Sequence, residues 1–233
     1  MTIMYQIGLV PAFLNGIYTS DFNFKSLSKK GDIGLGTINQ LNGEMIALDG
    51  RFYSIDKNGV ASEIADSIFT PYAVVSFFKP QHFYSIRDIS SLSNLNQHLI
   101  SLLDNTNIFY MIRIDGEFAS LQLRSETCQC MGGVPIAELL EKNQVEFSIE
   151  KSKGTLVATF SPAYTKNMCI TDFHYHYLNA NKTTGGHVFD LKVVSAQISI
   201  QPIYRFQLEL INIPKLKAMG LNIDTNHVLK NIE

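Results

Sequence analysis

The segment EMIALDGRFYSI, from Glu44 to Ile55, constrains the fold more than any other part of the chain. Two runs rich in aliphatic and aromatic residues flank Asp49-Gly50, a dipeptide that suits the type I′ turn of a tight hairpin. The same pattern surrounds Asp115-Gly116, where IFYMIRI and EFASLQL flank the dipeptide. Both segments predict β-hairpins, and they favour antiparallel sheet over a helical fold.

Further strand-like runs continue to about residue 213, whereas helical signals are few and short. The segments 91–104 and 135–143 have the apolar spacing of helices; the first offers a serine as N-cap and the second begins with proline. We therefore predict an α+β protein with two mixed, mostly antiparallel β-sheets and a few short helices. We divide the chain into an N-terminal mixed-sheet α+β half, 1–130, and a C-terminal β-rich half, 131–233.

Charge and cysteine content limit the partners and the location. The 19 Lys and Arg residues nearly balance the 21 Asp and Glu residues, so no basic surface for nucleic acid is expected. No apolar run approaches the roughly 18 residues of a membrane span. The three cysteines form no secreted spacing pattern, and we interpret those of Cys128-x-Cys130 as ordinary thiols. These features predict a soluble, cytoplasmic protein.

The segment FHYHYLNANKTTGGHVFD contains three of the six histidines of the chain. In a strand, residues two apart point to the same face, so His174 and His176 project together. The polar segment that follows, with Gly185-Gly186, predicts a turn back into an antiparallel strand. A register with His187 opposite His176 would bring three imidazoles onto one patch.

Such a patch of histidines can be interpreted in several ways. Three neutral imidazoles suit zinc, which takes three protein ligands in catalytic sites, but two histidines on a sheet surface are equally common. A metal there could activate water, as in a zinc hydrolase or hydratase. It could also stabilise a binding module through a closed four-ligand site, with Asp172 or Asp190 as the fourth ligand. The residues alone leave these alternatives open.

The stretches MYQIGLVPAFLNGIY and KKGDIGLGTINQLNGEMIALDGRFY, combined with the histidine hairpin, resemble the acetolactate decarboxylase family. The similarity extends from Tyr5 to Glu233. Residues that differ from the family motif, such as Ile33 and Asn42, are not at its catalytic positions. The resemblance implies a carbon–carbon lyase (carboxy-lyase) that converts (S)-2-acetolactate to (R)-acetoin and CO₂ on the route to butanediol. It also implies a homodimer whose protomer holds a metal between two mixed sheets.

The resemblance extends to individual site residues. The metal ligands of the family match His174, His176 and His187, with Zn²⁺ as the expected ion and other divalent metals as alternatives. The ion is expected to stabilise an enediolate formed by loss of CO₂.

Three further residues match the family's catalytic positions. Arg124 is expected to hold the substrate carboxylate, and Glu44 to protonate the enediolate. Glu233 is expected to share this work or to bind the substrate hydroxyl. Thr37, in the same motif as Glu44, either lines the pocket and binds substrate or caps a turn.

Overall fold

The computed structural model describes residues 2–128, 132–211 and 213–218. The first of its two sheets has seven strands, and only one neighbouring pair, at its edge, is parallel. In spatial order the strands are β12 (Phe206–Glu209), β1 (Met4–Ile7), β6 (Ala73–Ser76), β2 (Ile33–Thr37), β3 (Glu44–Leu48), β4 (Arg51–Ile55) and β5 (Ala61–Glu63).

The second sheet has five antiparallel strands, three of which are 18 or 19 residues long. In spatial order they are β10 (Asp172–Asn179), β9 (Gln144–Ser161), β8 (Phe109–Glu126), β11 (Gly185–Ile203) and β7 (His82–Ile89). Strand β10 also pairs with the start of β11, so β8 to β11 form a closed circuit of pairings. The predicted fold class is confirmed. Strands from both sides of residue 130 occur in both sheets, and the division into 1–130 and 131–233 as separate units stays a prediction.

Five short helices of the described residues cover the sheets and their connections. They are α1 (Val10–Leu14), α2 (Phe24–Leu27), α3 (Leu92–Leu102), α4 (Ile136–Asn143) and α5 (Ile213–Ala218). The prediction for α3 is confirmed, and its N-cap Ser91 accepts a hydrogen bond from the Asn94 amide. Helix α1 was not predicted, because five residues give too little periodicity to recognise. No helix in the described ranges is long and apolar enough to cross a membrane.

The main core lies between the two sheets. Ile46 and Leu48 of β3 pack there with Val157 and Leu178 of the second sheet. Ala47, which lies between them on the strand, belongs with Met45 to the core on the outer face of the first sheet. Because side chains alternate along a strand, Glu44 faces the second sheet together with Ile46 and Leu48.

The two Asp-Gly dipeptides have different structures. At Asp49-Gly50 both residues have positive φ, 54° and 76°, and the predicted hairpin between β3 and β4 is confirmed. At Asp115-Gly116 the predicted turn is wrong, because β8 continues straight through it and Gly116 pairs with Ala196 and Gly154. A Cβ atom on Gly116 would lie 2.5 Å from the Ala196 Cβ, so close strand approach explains this glycine.

The cysteines give a mixed result. Cys169 is a buried free thiol. Cys128 is disulfide-bonded, so its interpretation as an ordinary thiol is wrong. The cysteine content therefore does not indicate the compartment, and Cys130 lies outside the described residues.

Candidate active site

The histidine hairpin has the predicted register. His174 and His176 lie on the inward face of β10, while Tyr175 and Tyr177 pack into the core on the opposite face. His187 of β11 lies directly opposite His176. One ring nitrogen from each of the three histidines can be chosen so that all lie within 4.8 Å of one another. The structure therefore brings together the three residues that the sequence proposed as metal ligands.

All three imidazoles are buried in the neutral form. His174, His176 and His187 are 6 %, 0 % and 3 % exposed. Burial lowers the pKa of His176 to about 4; its ring contact with a backbone carbonyl opposes this shift, and the nearby Arg124 charge adds to it. Burial first, and then neighbouring positive charge, place the pKa values of His174 and His187 well below the usual range. Neutral imidazoles are the form that binds a metal ion.

The tautomer of His176 directs one nitrogen toward the histidine group. Its Nδ1 lies 2.7 Å from the carbonyl oxygen of Met45 on β3, which can only accept a hydrogen bond. The proton of the neutral ring is therefore on Nδ1, and Nε2 carries a lone pair. A backbone carbonyl of this kind is a common partner of metal-binding histidine.

Two buried nitrogens of the cluster have no hydrogen-bond partner among the described residues: His174 Nδ1 and His176 Nε2. Glu44 Oε2 lies 3.3 Å from His176 Nε2, and two acceptor atoms at that distance repel unless a proton or cation lies between them. Unsatisfied buried polar atoms cost about 1–3 kcal/mol each. A metal ion would satisfy His176 Nε2, and His174 Nε2 faces His187 Nδ1 at 3.2 Å. Each ring thus turns one nitrogen toward the cluster, and this donor set fits a metal.

Arg124 contacts the histidine cluster from a neighbouring strand of the same sheet. It is half-buried, lies opposite His187 on β8, and donates from Nη2 to His187 Nε2 at 3.0 Å. The other guanidinium donors form a planar fork that matches a carboxylate. Glu44 is 9 % exposed and reaches the cluster from the first sheet. These two predicted residues therefore approach the histidines from opposite sheets.

Thr37 lines the cavity and also closes a turn, while its binding of substrate stays a prediction. It is 4 % exposed and borders the cavity beside the histidines. Its hydroxyl donates to the carbonyl oxygen of Gly43 at 2.9 Å, which closes the turn before Glu44. Thr37 also pairs with Glu44 across β2 and β3, so it helps to fix the backbone of the glutamate.

The cavity has two chemically different walls. The polar wall is formed by Thr37, Glu44, Arg124, Glu126, His174 and His187. The apolar wall is formed by Val10, Phe13, Leu14, Tyr72, Ile136 and Ile170. A few converging polar groups facing an apolar surface are typical of a site for a small molecule.

Sequence reasoning missed Glu126 in the polar wall. This carboxyl group is 5 % exposed and hydrogen-bonds to Glu44. Burial raises the pKa of Glu126 to about 7, although the hydrogen bond to Glu44 and the charge of Arg124 oppose the rise. The signal was available, because Glu126 follows Arg124 by two residues on one strand and so shares its face.

The proposed fourth ligands do not join the cluster. Asp190 Oδ1 accepts a hydrogen bond from the Leu92 amide at the start of α3, and Asp172 is exposed. Within the described ranges, the metal-binding group around the hairpin consists of the three histidines alone. A closed four-ligand site therefore has no support. Glu233 lies outside the described residues, and its assignment stays a prediction.

Comparisons with known proteins identify the family of this chain. The family model described as alpha-acetolactate decarboxylase matches residues 4–222. The alpha-acetolactate decarboxylase of Brevibacillus brevis is 34% identical over 208 residues, which are 89% of this chain and 73% of that protein. That of Bacillus subtilis strain 168 is 31% identical over 230 residues, 99% of this chain and 89% of its own length.

A solved structure gives the same result for the fold. The crystal structure of acetolactate decarboxylase from Bacillus subtilis subspecies spizizenii matches with a TM-score of 0.94 at 29% identity. The match covers 99% of this chain and 100% of that chain. Sequence and fold thus agree over nearly the whole length, and this chain belongs to the alpha-acetolactate decarboxylase family.

Proposed function

We propose that this protein is a carboxy-lyase that converts (S)-2-acetolactate to (R)-acetoin and CO₂, with a Zn²⁺ ion held by His174, His176 and His187. The observation that carries the proposal is the buried three-histidine cluster, with two unpartnered nitrogens, on a cavity that also presents Arg124 and Glu44. Family membership supplies the reaction. When bound, the ion supplies an electrophile that polarises the ketone and hydroxyl oxygens of the substrate.

Arg124 would bind the substrate carboxylate. One of its nitrogens is engaged by His187, which fixes the guanidinium group beside the histidines. A bidentate contact would orient the carbon–carbon bond that breaks relative to the carbonyl plane, and lysine cannot reproduce such a contact.

Glu44 would deliver the proton that completes the reaction. When CO₂ leaves, the electron pair of the broken bond enters an enediolate, and one carbon must then take up a proton. The Glu44 carboxyl lies 3.3 Å from His176 Nε2, so it is beside any substrate bound at the cluster. It would transfer its proton to that carbon and be left as a carboxylate, which regains a proton from solvent. We also propose that Glu233 assists this step or binds the hydroxyl group.

The two remaining parts of the cavity would select the substrate. The Thr37 hydroxyl on the polar wall would contact a substrate oxygen, and the apolar wall would hold the methyl groups. Exclusion of water from this wall would also strengthen the electrostatic contacts on the polar side.

The proposal is tested by acetoin formation with reconstituted metal. Protein stripped of divalent ions should form no acetoin from racemic acetolactate, and added Zn²⁺ should restore it, with the product resolved by chiral gas chromatography. Acetoin formation that is undiminished after complete metal removal would contradict the proposal. Ester hydrolysis or CO₂ hydration without acetoin would instead support a three-histidine zinc hydrolase or hydratase.

Two further proposals come from the family resemblance. We propose a homodimer in the cytoplasm, and sedimentation velocity of the metal-loaded protein at micromolar concentration tests the assembly. A single species with the mass of one 26.1 kDa chain would contradict it. Elemental analysis of the protein purified from its natural source would identify the ion.

A further inference from the structure

Glu126 is a buried carboxyl group that the proposed reaction does not yet use. It borders the cavity and hydrogen-bonds to the side chain of Glu44. A hydrogen bond between two carboxyl groups requires a proton on one of them, because an ionised carboxylate only accepts. The two acids therefore form a pair, and the geometry of one depends on the other.

The backbone around Glu126 holds this pair together. The buried Ser125 hydroxyl donates to the carbonyl oxygen of Ile55 at 2.8 Å, and Ile55 is the cross-strand neighbour of Glu44. Beyond Glu126, the Cys128 amide donates to the carbonyl oxygen of Leu41 at 3.0 Å. The end of β8 is thus bonded to β4 of the first sheet before Glu126, and to the connection between β2 and β3 after it. Its position beside Glu44 follows from the fold.

The electrostatic surroundings of Glu126 are simple. Among the described residues, the ionisable side chains acting on it are Glu44 on β3 and Arg124 on its own strand. An apolar side chain would occupy this place without the cost of desolvating an acid next to another acid. The cost is offset by the hydrogen bond to Glu44, the attraction of Arg124 and a hydrogen bond with the backbone of Glu126 itself.

We propose that Glu126 is a positioning residue for Glu44. Its hydrogen bond holds one oxygen of the Glu44 carboxyl, so that the group faces the substrate carbon from one side. The inference rests on the proposed function, because it gives Glu126 a task in the same proton delivery. In that step the Glu44 O–H bond breaks, the enediolate electron pair forms the new C–H bond, and no covalent bond to Glu126 changes.

Glu126→Ala and Glu126→Gln separate positioning from a merely structural role. Glutamine retains a hydrogen bond to Glu44, whereas alanine removes it. With Zn²⁺ bound, we expect Glu126→Ala to lower kcat about tenfold or more, with KM within about twofold. The acetoin formed should also lose enantiomeric purity, because a mobile Glu44 delivers its proton to both faces. Glu126→Gln should retain at least about a third of the parent kcat, and its acetoin should keep the enantiomeric purity of the parent product.

A matched control removes an acid that is close in the fold but outside the cavity. Glu146 is exposed on β9 directly opposite Arg124, and Glu146→Ala should leave kcat and product purity unchanged. Zinc affinity, measured by competition with a chromophoric chelator, should stay within about threefold in every variant. Equal damage by Glu126→Gln and Glu126→Ala, or a loss of kcat without loss of enantiomeric purity, would overturn the inference.

A second measurement does not depend on activity. In the metal-free protein, the urea midpoints of Glu44→Ala, Glu126→Ala and the double variant form a cycle. We expect the double variant to lower the urea midpoint by less than the sum of the decreases caused by the two single variants. Strict additivity would overturn the inference even in an active enzyme. If the cycle shows coupling but the protein forms no acetoin, the carboxyl pair is supported and only the proposed function is rejected.

Discussion

At the scale of residues, Glu44 is the side chain on which both parts of the site converge. One carboxyl oxygen lies 3.3 Å from His176 Nε2, and the group also hydrogen-bonds to Glu126. It comes from the first sheet, whereas the histidines and Arg124 come from the second. The catalytic role proposed for Glu44 therefore depends on contacts between sheets.

We predict that Glu44→Gln lowers kcat by about 10²–10⁴-fold, the usual contribution of a positioned acid or base. Glutamine keeps the size and polarity of the side chain but has no proton to transfer. Steady-state acetoin formation at saturating Zn²⁺ measures the effect, with metal content determined on the same sample. A variant with normal kcat, normal product stereochemistry and bound zinc would show that another group donates the proton.

The raised pKa of Glu126 predicts how stability depends on pH. Its pKa is about 7 in the folded protein, against 4.5 for an unperturbed glutamate. Between these values the folded state binds more protons than the unfolded state, so the free energy of unfolding falls as pH rises. The contribution is at most ~1.4 kcal/mol per pH unit.

Glu126→Gln removes this titration, so its stability should decline less steeply than that of the parent between pH 4.5 and 7. Urea unfolding of both metal-free proteins across this range measures the difference. Parallel curves would show that Glu126 ionises normally in the folded protein.

At the scale of elements, the three long strands of the second sheet set the frame of the site. Strand β8 carries Arg124 and Glu126 at one end and pairs with β11 along nearly its whole length. The pairing has register shifts between Val188 and Asp190 and again near Val193. The correct alignment of the two strands places Arg124 opposite His187. A substitution that disturbs the middle of β8 should therefore also alter the site.

Gly116 tests this dependence. Gly116→Ala places a Cβ atom 2.5 Å from both the Ser195 carbonyl oxygen and the Ala196 Cβ, and these backbone-bound atoms cannot move away easily. We expect a loss of about 1–3 kcal/mol in the free energy of unfolding. The matched control is Gly50→Ala, where φ is +76° but no atom lies within 4 Å. It should cost only the ~1–2 kcal/mol of a left-handed backbone.

Thermal or urea unfolding measures the stability loss of both glycine variants, and zinc affinity distinguishes them. Gly116→Ala should also lower zinc affinity by disturbing the β8–β11 register, whereas Gly50→Ala should leave it unchanged. An unaltered stability of Gly116→Ala would mean that the two strands can separate at no cost.

At the scale of the whole molecule, the sheets meet around a site that neither builds alone. The first sheet provides Glu44, Thr37 and the Met45 carbonyl that orients His176, and the second provides the imidazoles and Arg124. A ligand that binds these groups in the folded state alone must stabilise the entire fold.

We therefore predict that Zn²⁺ raises the melting temperature of the metal-free protein in a concentration-dependent way. At a free ion concentration of 100 times Kd the stabilisation should be about 2.7 kcal/mol. Scanning fluorimetry measures it, with His176→Ala as the variant that loses the shift and His98→Ala on α3 as the control that keeps it. An equal shift in His176→Ala would place the ion elsewhere.

Local sequence patterns determined much of this protein. Alternation along β10 put His174 and His176 on one face, and a glycine-rich turn returned His187 to them. Asp49-Gly50 was recognised because its turn depends on the φ angles of two adjacent residues. These features depend on residues that are neighbours in the chain, so a short segment of sequence is enough to predict each of them.

The tertiary structure decided the rest. Asp115-Gly116 has the sequence of a turn, yet it lies inside a strand because β8 pairs there with a strand on each side. Glycine fits this position because the neighbouring strand leaves no room for a Cβ atom. The carboxyl pair of Glu44 and Glu126 joins residues 82 positions apart, and it exists because β8 is fastened to the first sheet. Such contacts depend on how two sheets pack, and no local pattern of the sequence encodes that arrangement.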